Sequence, residues 1–202
     1  MIPRILHHIW IGPKPAPLHW MSTWPRHHPT WRYINWSNDT VFRRAWRNQR
    51  LVNAYKDQGE WRGVADVIRY EILNEMGGFM PGADSECLRP IDDIVREDGI
   101  TAYCVAENEQ MAPGLITPVY GARKNAPFLE AMIQKVSQSS AGEPWRCTGN
   151  LVMQQVYESR EWPDVRLWPS HYFNPVHYSG HTYDGPDHPY AKQHWGSTKG
   201  GY

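Results

Sequence analysis

Residues 63–86 read GVADVIRYEILNEMGGFMPGADSE, and this stretch decides the fold. Apolar side chains recur four residues apart at Val64, Ile68 and Ile72, which is the spacing of one face of an amphipathic helix. The glycine pair at 77–78 ends that pattern, because glycine tolerates the left-handed backbone that commonly closes a helix. The sequence therefore predicts a helix up to the glycine pair, then a very short strand, then a polar loop.

Strand and helix patterns alternate on both sides of this stretch. Short apolar runs predict strands over residues 2–11, 31–36, 79–81, 100–108 and 165–169. Apolar residues at helical spacing predict further helices over residues 41–55, 90–98, 125–138 and 149–159. This alternation predicts an α/β fold. Residues 170–202 are rich in His, Tyr, Gly and Pro, which predicts a loop-rich segment that closes over a site.

The charge balance argues against a polyanion as the main partner. The 202 residues carry 21 Lys and Arg and 21 Asp and Glu, so there is no basic field of the kind that recruits nucleic acid or anionic membranes. No segment approaches the ~20 apolar residues of a membrane span, and we expect a soluble protein. Three widely spaced cysteines favour reduced thiols, and with no visible export signal we expect a cytoplasmic location.

Tryptophan and tyrosine are abundant, with 11 of each against 4 phenylalanines. Both combine a large apolar face with a polar group, so they suit pocket walls that hold rings or sugars as well as the edges of a core. Composition leaves both interpretations open.

Asp66 and Arg69 are the first candidate site residues. They lie three apart on the predicted helix, so they project from one face. Such a pair is often a solvated surface pair, but this helix leads through the short strand directly to Asp84 and Glu86. Carboxylates just beyond the carboxyl end of a strand lie where open α/β sheets bind ligands.

The chain resembles glycosyltransferase family 32, a family of DXD-containing sugar transferases that includes the yeast initiating α-1,6-mannosyltransferase. This family is distantly related to the glucosylating clostridial toxins. Residues 65–92, ADVIRYEILNEMGGFMPGADSECLRPID, are similar to the central family pattern SDxxRYxxLxxxGGxYxDxDxExL. Further blocks follow the family order, namely IPRILHHIWIG at 2–12, HPTWRYINW at 28–36, CTGN at 147–150 and YAKQHWGST at 190–198. Several blocks in the right order are far more specific than any one alone.

The resemblance implies a single GT-A-type catalytic domain over residues 1–202, with a mixed, mostly parallel central sheet flanked by helices. It implies a retaining hexosyltransferase that moves a sugar from a nucleotide-sugar donor, a UDP-sugar or GDP-mannose, to a hydroxyl acceptor. The acceptor would be a glycan or a protein, with a modified base in DNA ranked last. Because the diphosphate leaving group gains negative charge, such enzymes use a divalent cation, here Mn²⁺ or Mg²⁺.

The resemblance also assigns roles to individual residues. Asp84 matches the second aspartate of the DXD motif and His194 matches the closing block, so both are implied metal ligands. The implied catalytic residues are Asp84, Arg69 and Asp66. The residues implied in nucleotide-sugar binding are Trp10, Gly12, Asp66, Arg69, Gly82 and Ser197. The candidates for the acceptor or sugar pocket are Glu107, Thr148 and Gly149, although Glu107 fits a solvated loop carboxylate equally well.

This chain departs from the family pattern in both metal-binding blocks. Gly82 stands where the family has its first DXD aspartate, a change expected to weaken nucleotide or metal binding. In the closing block Gln193 replaces one histidine and Thr198 replaces the final tryptophan. These departures leave open an alternative, a catalytically impaired relative that binds nucleotide or glycan without turnover.

Overall fold

The computed structural model describes residues 1–196 and contains one seven-stranded sheet and one two-stranded sheet within them. The strands in chain order are β1 (Ile5–Ile9), β2 (Arg32–Trp36), β3 (Gly78–Phe79), β4 (Ser85–Cys87), β5 (Ala102–Asn108), β6 (Ala112–Ile116), β7 (Gly121–Ala122), β8 (Val165–Trp168) and β9 (Ala191–Gln193). The helices are α1 (Leu18–Met21), α2 (Thr23–His27), α3 (Asn38–Val41), α4 (Gln49–Asp57), α5 (Trp61–Met76), α6 (Pro127–Ser137), α7 (Pro144–Cys147) and α8 (Asn150–Glu158). A short 3₁₀ helix covers Ser170–Tyr172.

The large sheet has the order β2-β1-β3-β7-β5-β6, and β8 pairs with β5 as well. Strand β1 is parallel to β2 and β3, whereas β7 is antiparallel to both β3 and β5. Strand β8 is parallel to β5, and β6 is antiparallel to it. Strands β1, β2, β3, β5 and β8 therefore run in one direction, against β6 and β7. This arrangement confirms the prediction of a mixed, mostly parallel sheet in an α/β fold.

Each face of the large sheet is covered by its own apolar core, because alternate strand residues point to opposite faces. On β5, Ala102 and Cys104 pack into the core formed with α4, α5, α6 and α8. Tyr103 and Val105 pack into a second core, which includes aromatic residues from α2 and from the segment after β8. The sheet is thus held between two apolar layers. The edge at which its parallel strands have their carboxyl ends remains available to form a cleft.

Helix α5 confirms the amphipathic helix predicted before the glycine pair. It spans Trp61–Met76, and Val64, Ile68 and Ile72 are fully buried. Gly77 follows with a φ of 66°, a conformation that favours glycine, so the chain turns at once into β3. The two-residue strand then delivers the chain to the polar loop that precedes β4.

Two predicted helices differ from the structure. The helix predicted over residues 41–55 is split into α3 and α4, since the backbone N–H groups of Arg47 and Asn48 donate to the Glu71 carboxylate at 2.6 and 2.9 Å. The helix predicted over residues 90–98 is a turn instead. In the second segment the backbone N–H of Ile91 donates to His28 Nε2 at 3.0 Å and the Tyr190 hydroxyl donates to Asp93 at 2.7 Å, so in both places contacts with distant residues override the local pattern.

The adjacent histidines His7 and His8 are both fully buried in β1. Their side chains point to opposite faces of the sheet, as successive residues of a strand do. The Trp36 indole N–H donates to His7 Nδ1 at 3.2 Å, and His7 Nε2 lies 2.9 Å from the Gly77 carbonyl oxygen. Burial lowers the pKa of His7 to about 4 and that of His8 to about 3. Both are structural residues in their neutral form.

Nothing in the part of the chain that the structure describes is a helix both long and apolar enough to cross a membrane. The three cysteines are free thiols, as their number and spacing predicted. Cys87 and Cys104 are buried, and Cys147 is partly exposed.

We expect the Glu71→Gln substitution to lower the free energy of unfolding by about 1–3 kcal/mol. The carboxylate accepts two backbone N–H groups at the start of α4, and a glutamine amide would turn an N–H donor toward one of them. Chemical denaturation measures the effect. Glu75→Gln on the same helix is the matched control, because the surface pair of Glu75 with Arg44 contributes at most about 1 kcal/mol. Equal losses for the two variants would contradict the capping role of Glu71.

Candidate active site

A cleft of about 510 Å³ lies where helix α5, the loop after β3 and the end of β5 meet. Five of the residues predicted from the sequence line it, namely Asp66, Arg69, Gly82, Asp84 and Glu107. The α/β topology explains this convergence, since β3 and β5 run in the same direction and their carboxyl ends open at one edge of the sheet.

Asp84 is buried at the floor of the cleft, and both of its carboxylate oxygens accept hydrogen bonds. The Gln193 amide Nε2 donates to Oδ1 at 2.6 Å, and the backbone N–H of Gly196 donates to Oδ2 at 2.8 Å. These contacts follow from the pairing of β4 with β9, in which Ser85 lies opposite Gln193. The segment after residue 190 therefore forms one wall of the cleft.

Gly82 and Gln193, which depart from the family pattern in two different blocks, lie next to each other. A Cβ atom built on Gly82 would lie 3.0 Å from Gln193 Oε1 and 3.2 Å from Asp84 Oδ1. The side-chain amide of Gln193 thus occupies the space in front of the glycine and holds the remaining aspartate. Oε1 itself has no hydrogen-bond partner within residues 1–196.

Helix α2 fixes the backbone that carries Asp84. The indole N–H of Trp24, a fully buried side chain, donates to the carbonyl oxygen of Ser85 at 3.0 Å. The Thr23 hydroxyl oxygen accepts the backbone N–H of Cys87 at 2.8 Å. Because both contacts bind backbone atoms of β4, the loop between β3 and β4 has little freedom to move.

Arg69 places a positive charge in the cleft opposite the carboxylates. Its Nη1 atom donates to the carbonyl oxygen of Met80 at 3.0 Å and, more weakly, to that of Val119 at 3.4 Å. Its Nε atom is buried without a partner among the described residues. The guanidinium is therefore anchored at one nitrogen and keeps hydrogen-bonding capacity for an anionic ligand.

Asp66 lies one helical turn before Arg69 and is only partly exposed. Burial raises the pKa of Asp66 to about 7, although Arg69 and Arg62 pull it in the opposite direction. Gly149 packs against this carboxylate, since a Cβ atom there would lie 2.9 Å from Asp66 Oδ2. A carboxyl group with such a pKa changes between hydrogen-bond donor and acceptor near neutral pH.

Of the candidates for the sugar or acceptor pocket, Glu107 lines the cleft, whereas Thr148 and Gly149 do not. Glu107 is buried at the end of β5, where the Asn150 amide donates to its carboxylate. Burial raises the pKa of Glu107 as well, and the contact with Asn150 opposes that shift. Thr148 is fully buried and its carbonyl oxygen accepts the Tyr70 hydroxyl at 2.8 Å, so it supports the turn rather than facing a ligand.

Three other predicted residues do not line the cleft. Trp10 and Gly12 lie beyond the end of β1, where the backbone N–H of Gly12 donates to the Asn38 side chain at 2.8 Å. The His194 imidazole lies 3.1 Å from the Glu86 carboxylate and stacks on the Trp20 ring at 4.4 Å. The structure thus brings Gln193, and not His194, to the Asp84 carboxylate. Ser197 lies outside the described residues.

The fit of a divalent cation to these residues is partial. Asp84 and the unpartnered Oε1 of Gln193 are oxygen donors, the type that Mn²⁺ and Mg²⁺ prefer. Within residues 1–196, however, no three His, Cys, Asp or Glu side chains come together in a way that could hold a metal ion. Asp84 and the adjacent Gln193 would be oxygen ligands of such an ion, and the role of His194 as a metal ligand stays a prediction.

Sequence reasoning assigned no role to several cleft residues, Trp145, Asn150, Asn174, Tyr178, Gln193 and Trp195. Asn150 follows Gly149 directly, so its place in the CTGN block was the available signal. Asn174 and Tyr178 lie in the loop-rich region after β8, where no periodic pattern marks a side chain as facing a site. Only the prediction that this segment closes over a site pointed to them.

Comparison with known proteins finds sequence similarity to glycosyltransferases. The sequence model of a family described as "Glycosyltransferase sugar-binding region containing DXD motif" matches residues 18–101. An uncharacterized glycosyltransferase of Acanthamoeba polyphaga mimivirus is 25% identical over 195 residues, which cover 87% of this chain and 74% of the viral protein. Inositol phosphoceramide mannosyltransferase 3 of Schizosaccharomyces pombe is 22% identical over 178 residues, 83% of this chain and 48% of the yeast protein. This chain therefore spans about half the length of that relative.

A solved structure shares the fold. The PaToxG glycosyltransferase superposes with a TM-score of 0.63 at 13% sequence identity, over 78% of this chain and 69% of that one. Together with the sequence matches, this result confirms the resemblance drawn from the motifs. The chain is thus similar in sequence to DXD-containing glycosyltransferases, and its fold is that of a solved GT-A-type glycosyltransferase. A glycosyltransferase requires a sugar donor and an acceptor.

The raised pKa of Asp66 predicts a pH-dependent difference between wild type and Asp66→Asn. Between about pH 4 and about pH 7 the folded chain retains a proton on Asp66 that the unfolded chain has lost. The free energy of unfolding of the wild type therefore falls as pH rises through this window, by at most about 1.4 kcal/mol per pH unit.

The Asp66→Asn variant lacks this contribution, so it should gain stability over the wild type as pH rises to about 7. Chemical denaturation of both proteins across this range measures the difference. Parallel stability curves would show that the Asp66 carboxyl titrates normally.

Proposed function

We propose that this protein is a retaining glycosyltransferase that moves a sugar from a nucleotide-sugar donor, a UDP-sugar or GDP-mannose, to a hydroxyl acceptor. The observation that carries the proposal is the convergence of Asp66, Arg69 and Asp84 in one cleft at the carboxyl edge of an α/β sheet. The relatedness to DXD-containing transferases supports the reaction class. The assignment of residues 1–202 to one catalytic domain stays a prediction.

The chemistry requires a site that stabilises a departing diphosphate. Arg69 would place its guanidinium against the growing negative charge, in a cleft where partial exclusion of water strengthens the interaction. Asp66, when ionised, would accept hydrogen bonds from sugar hydroxyls. A divalent cation, Mn²⁺ or Mg²⁺, would neutralise part of the diphosphate charge and would be held by Asp84.

Retention at the anomeric carbon can be achieved by front-face transfer, which needs no protein nucleophile. In front-face transfer the acceptor hydroxyl attacks on the side from which the diphosphate departs, and the diphosphate can take the proton of that hydroxyl. The enzyme then contributes position and charge stabilisation, and it needs no separate general base. The ionised Asp66 carboxylate can then orient hydroxyl groups.

A panel of nucleotide sugars tests the proposal. We expect hydrolysis or transfer from at least one UDP-sugar or GDP-mannose in the presence of Mn²⁺ or Mg²⁺, and a loss of at least about 100-fold in kcat/KM for Asp84→Ala, equivalent to about 2.7 kcal/mol. Asp57→Ala, at an exposed position on α4, is the matched control and should retain full activity. Full activity of Asp84→Ala would disprove the role of this carboxylate, and equal activity in a chelator would disprove metal dependence.

The contact between Gly82 and Gln193 favours a second candidate function, a catalytically impaired relative that binds nucleotide or glycan without turnover. The amide of Gln193 engages Asp84 in the place where the family pattern has a carboxylate. Binding without turnover would explain why the first aspartate of the motif is dispensable.

Restoring the family pattern distinguishes the two candidates. A Cβ atom on Gly82 comes close only to side-chain atoms that can move, so Gly82→Asp is sterically feasible once Gln193 shifts. We expect the double variant Gly82→Asp with Gln193→His to gain at least about tenfold in metal-dependent turnover if the scaffold is catalytic and merely impaired. Calorimetry with UDP and GDP runs in parallel. Nucleotide binding without turnover in either protein would favour the binding module.

The class of acceptor is a further proposal, with less support than the reaction type. A glycan or a protein fits a chain with no net charge better than DNA does, because a DNA acceptor would require cationic surface around the cleft. A modified base in DNA stays the third option, and failure to retain single- or double-stranded DNA at low salt would exclude it.

A further inference from the structure

Asn174 is a polar residue of the cleft that has no role in the reaction described above. It is only 2% exposed and lies in the cleft wall. Neither the Nδ2 nor the Oδ1 atom of its amide has a hydrogen-bond partner within residues 1–196. A buried amide without partners destabilises a fold, so such a residue calls for a ligand or a structural explanation.

The backbone around Asn174 holds the amide in place. The backbone N–H of Asn174 donates to the Ser170 carbonyl oxygen at 2.7 Å, and Ser170 is itself held by the Glu109 carboxylate at 2.6 Å. The preceding residue, Phe173, is buried against the rings of Tyr120 and Trp168 at 5.0 and 5.5 Å. The side chain therefore cannot turn to solvent to satisfy its polar atoms without disturbing the second core.

Four of the thirteen buried side-chain atoms without hydrogen-bond partners among the described residues belong to residues that line this cleft. Besides the two amide atoms of Asn174, Oε1 of Gln193 and Nε of Arg69 are buried without partners, and both residues line the cleft. The backbone N–H of Gln193 donates to the Phe173 carbonyl oxygen at 3.1 Å, so Gln193 and Asn174 belong to neighbouring segments of one wall. That wall offers both donors and acceptors.

We propose that Asn174 recognises a pair of neighbouring hydroxyl groups on a sugar ring, with its N–H₂ donating to one hydroxyl and its carbonyl oxygen accepting from the other. The inference rests on the proposed function and names a specificity residue for it. A hydroxyl pair matches an amide because each hydroxyl both donates and accepts. A phosphate would satisfy the donor alone and leave the carbonyl oxygen unpartnered.

The sugar can belong to the donor or to the acceptor, and two measurements separate these sources. Calorimetry compares UDP-glucose and GDP-mannose with UDP and GDP, for the wild type and for Asn174→Leu, which keeps the number of side-chain heavy atoms and removes both polar atoms. Steady-state transfer from the donor that the wild type uses to methyl α-D-mannopyranoside or methyl α-D-glucopyranoside gives the acceptor KM.

If the donor sugar is recognised, Asn174→Leu should weaken nucleotide-sugar binding by about tenfold or more and leave the binding of UDP or GDP within about twofold. If the acceptor sugar is recognised, donor binding should be unchanged and the acceptor KM should rise by a similar factor. An equal loss for UDP and UDP-glucose would overturn the proposal in favour of base recognition. No change in either measurement would overturn it as well.

Thermal unfolding excludes a merely structural role. Asn174→Leu removes an unpartnered buried amide, so its Tm without ligand should equal or exceed that of the wild type. The matched control is Asn48→Leu, because Asn48 is also buried but donates to the Ile133 carbonyl oxygen at 3.3 Å, away from the cleft. That variant should lose Tm and keep its sugar affinity. A drop in Tm for Asn174→Leu as large as that of Asn48→Leu would overturn the proposal.

The proposed function and this inference fail in different ways. A wild-type chain that binds none of these nucleotides and nucleotide sugars refutes both. A wild-type chain that binds and turns over a nucleotide sugar, with Asn174→Leu indistinguishable from it, refutes only the role of Asn174.

Discussion

The antiparallel pairing of β4 with β9 is the contact on which the candidate site depends. It joins Ser85–Cys87 to Ala191–Gln193 and brings the Asp84 carboxylate to Gln193, 109 positions further along the chain. Closing so long a loop costs chain entropy, and three residue pairs alone offset little of it. Buried aromatic residues on both sides of the ladder, Trp24 and Tyr190, add the packing that keeps it closed. The cleft is therefore built from segments that meet only in the folded state.

Helix α5 and the strands next to it could be predicted from sequence because their signals are local. The apolar spacing of α5 and the glycine after it are contained in sixteen residues, and the structure reproduces them. Strands β4, β6, β7 and β9 were missed, because these segments of two to five residues lack a strand pattern of their own and become strands only by pairing with other strands. The break between α3 and α4 has the same cause, since the Glu71 carboxylate that caps α4 lies on another helix.

The choice between Gln193 and His194 could not be made from motif spacing. Successive residues of a strand point to opposite sides, so a change of one position in register decides which of the two faces Asp84. The pairing of Ser85 with Gln193 sets that register and directs His194 toward Glu86. A motif that correctly locates the DXD block and the closing block in the sequence still does not determine which of the two side chains faces Asp84. Asn174 escaped prediction for a similar reason, since only the folded wall shows that its amide has no partner.

The two buried imidazoles of β1 have a structural role, and they also lower the stability of the folded protein in acid. Below pH 6.5 an unfolded chain takes up protons on His7 and His8, whereas the folded chain excludes them until about pH 4 and about pH 3. Acid therefore shifts the equilibrium toward the unfolded state by up to two protons, against one proton in the opposite sense from Asp66. These three groups acting together favour greatest stability in slightly acidic to neutral solution, and as the pH falls the Asp66 carboxylate in the cleft is protonated before the two histidines begin to destabilise the fold.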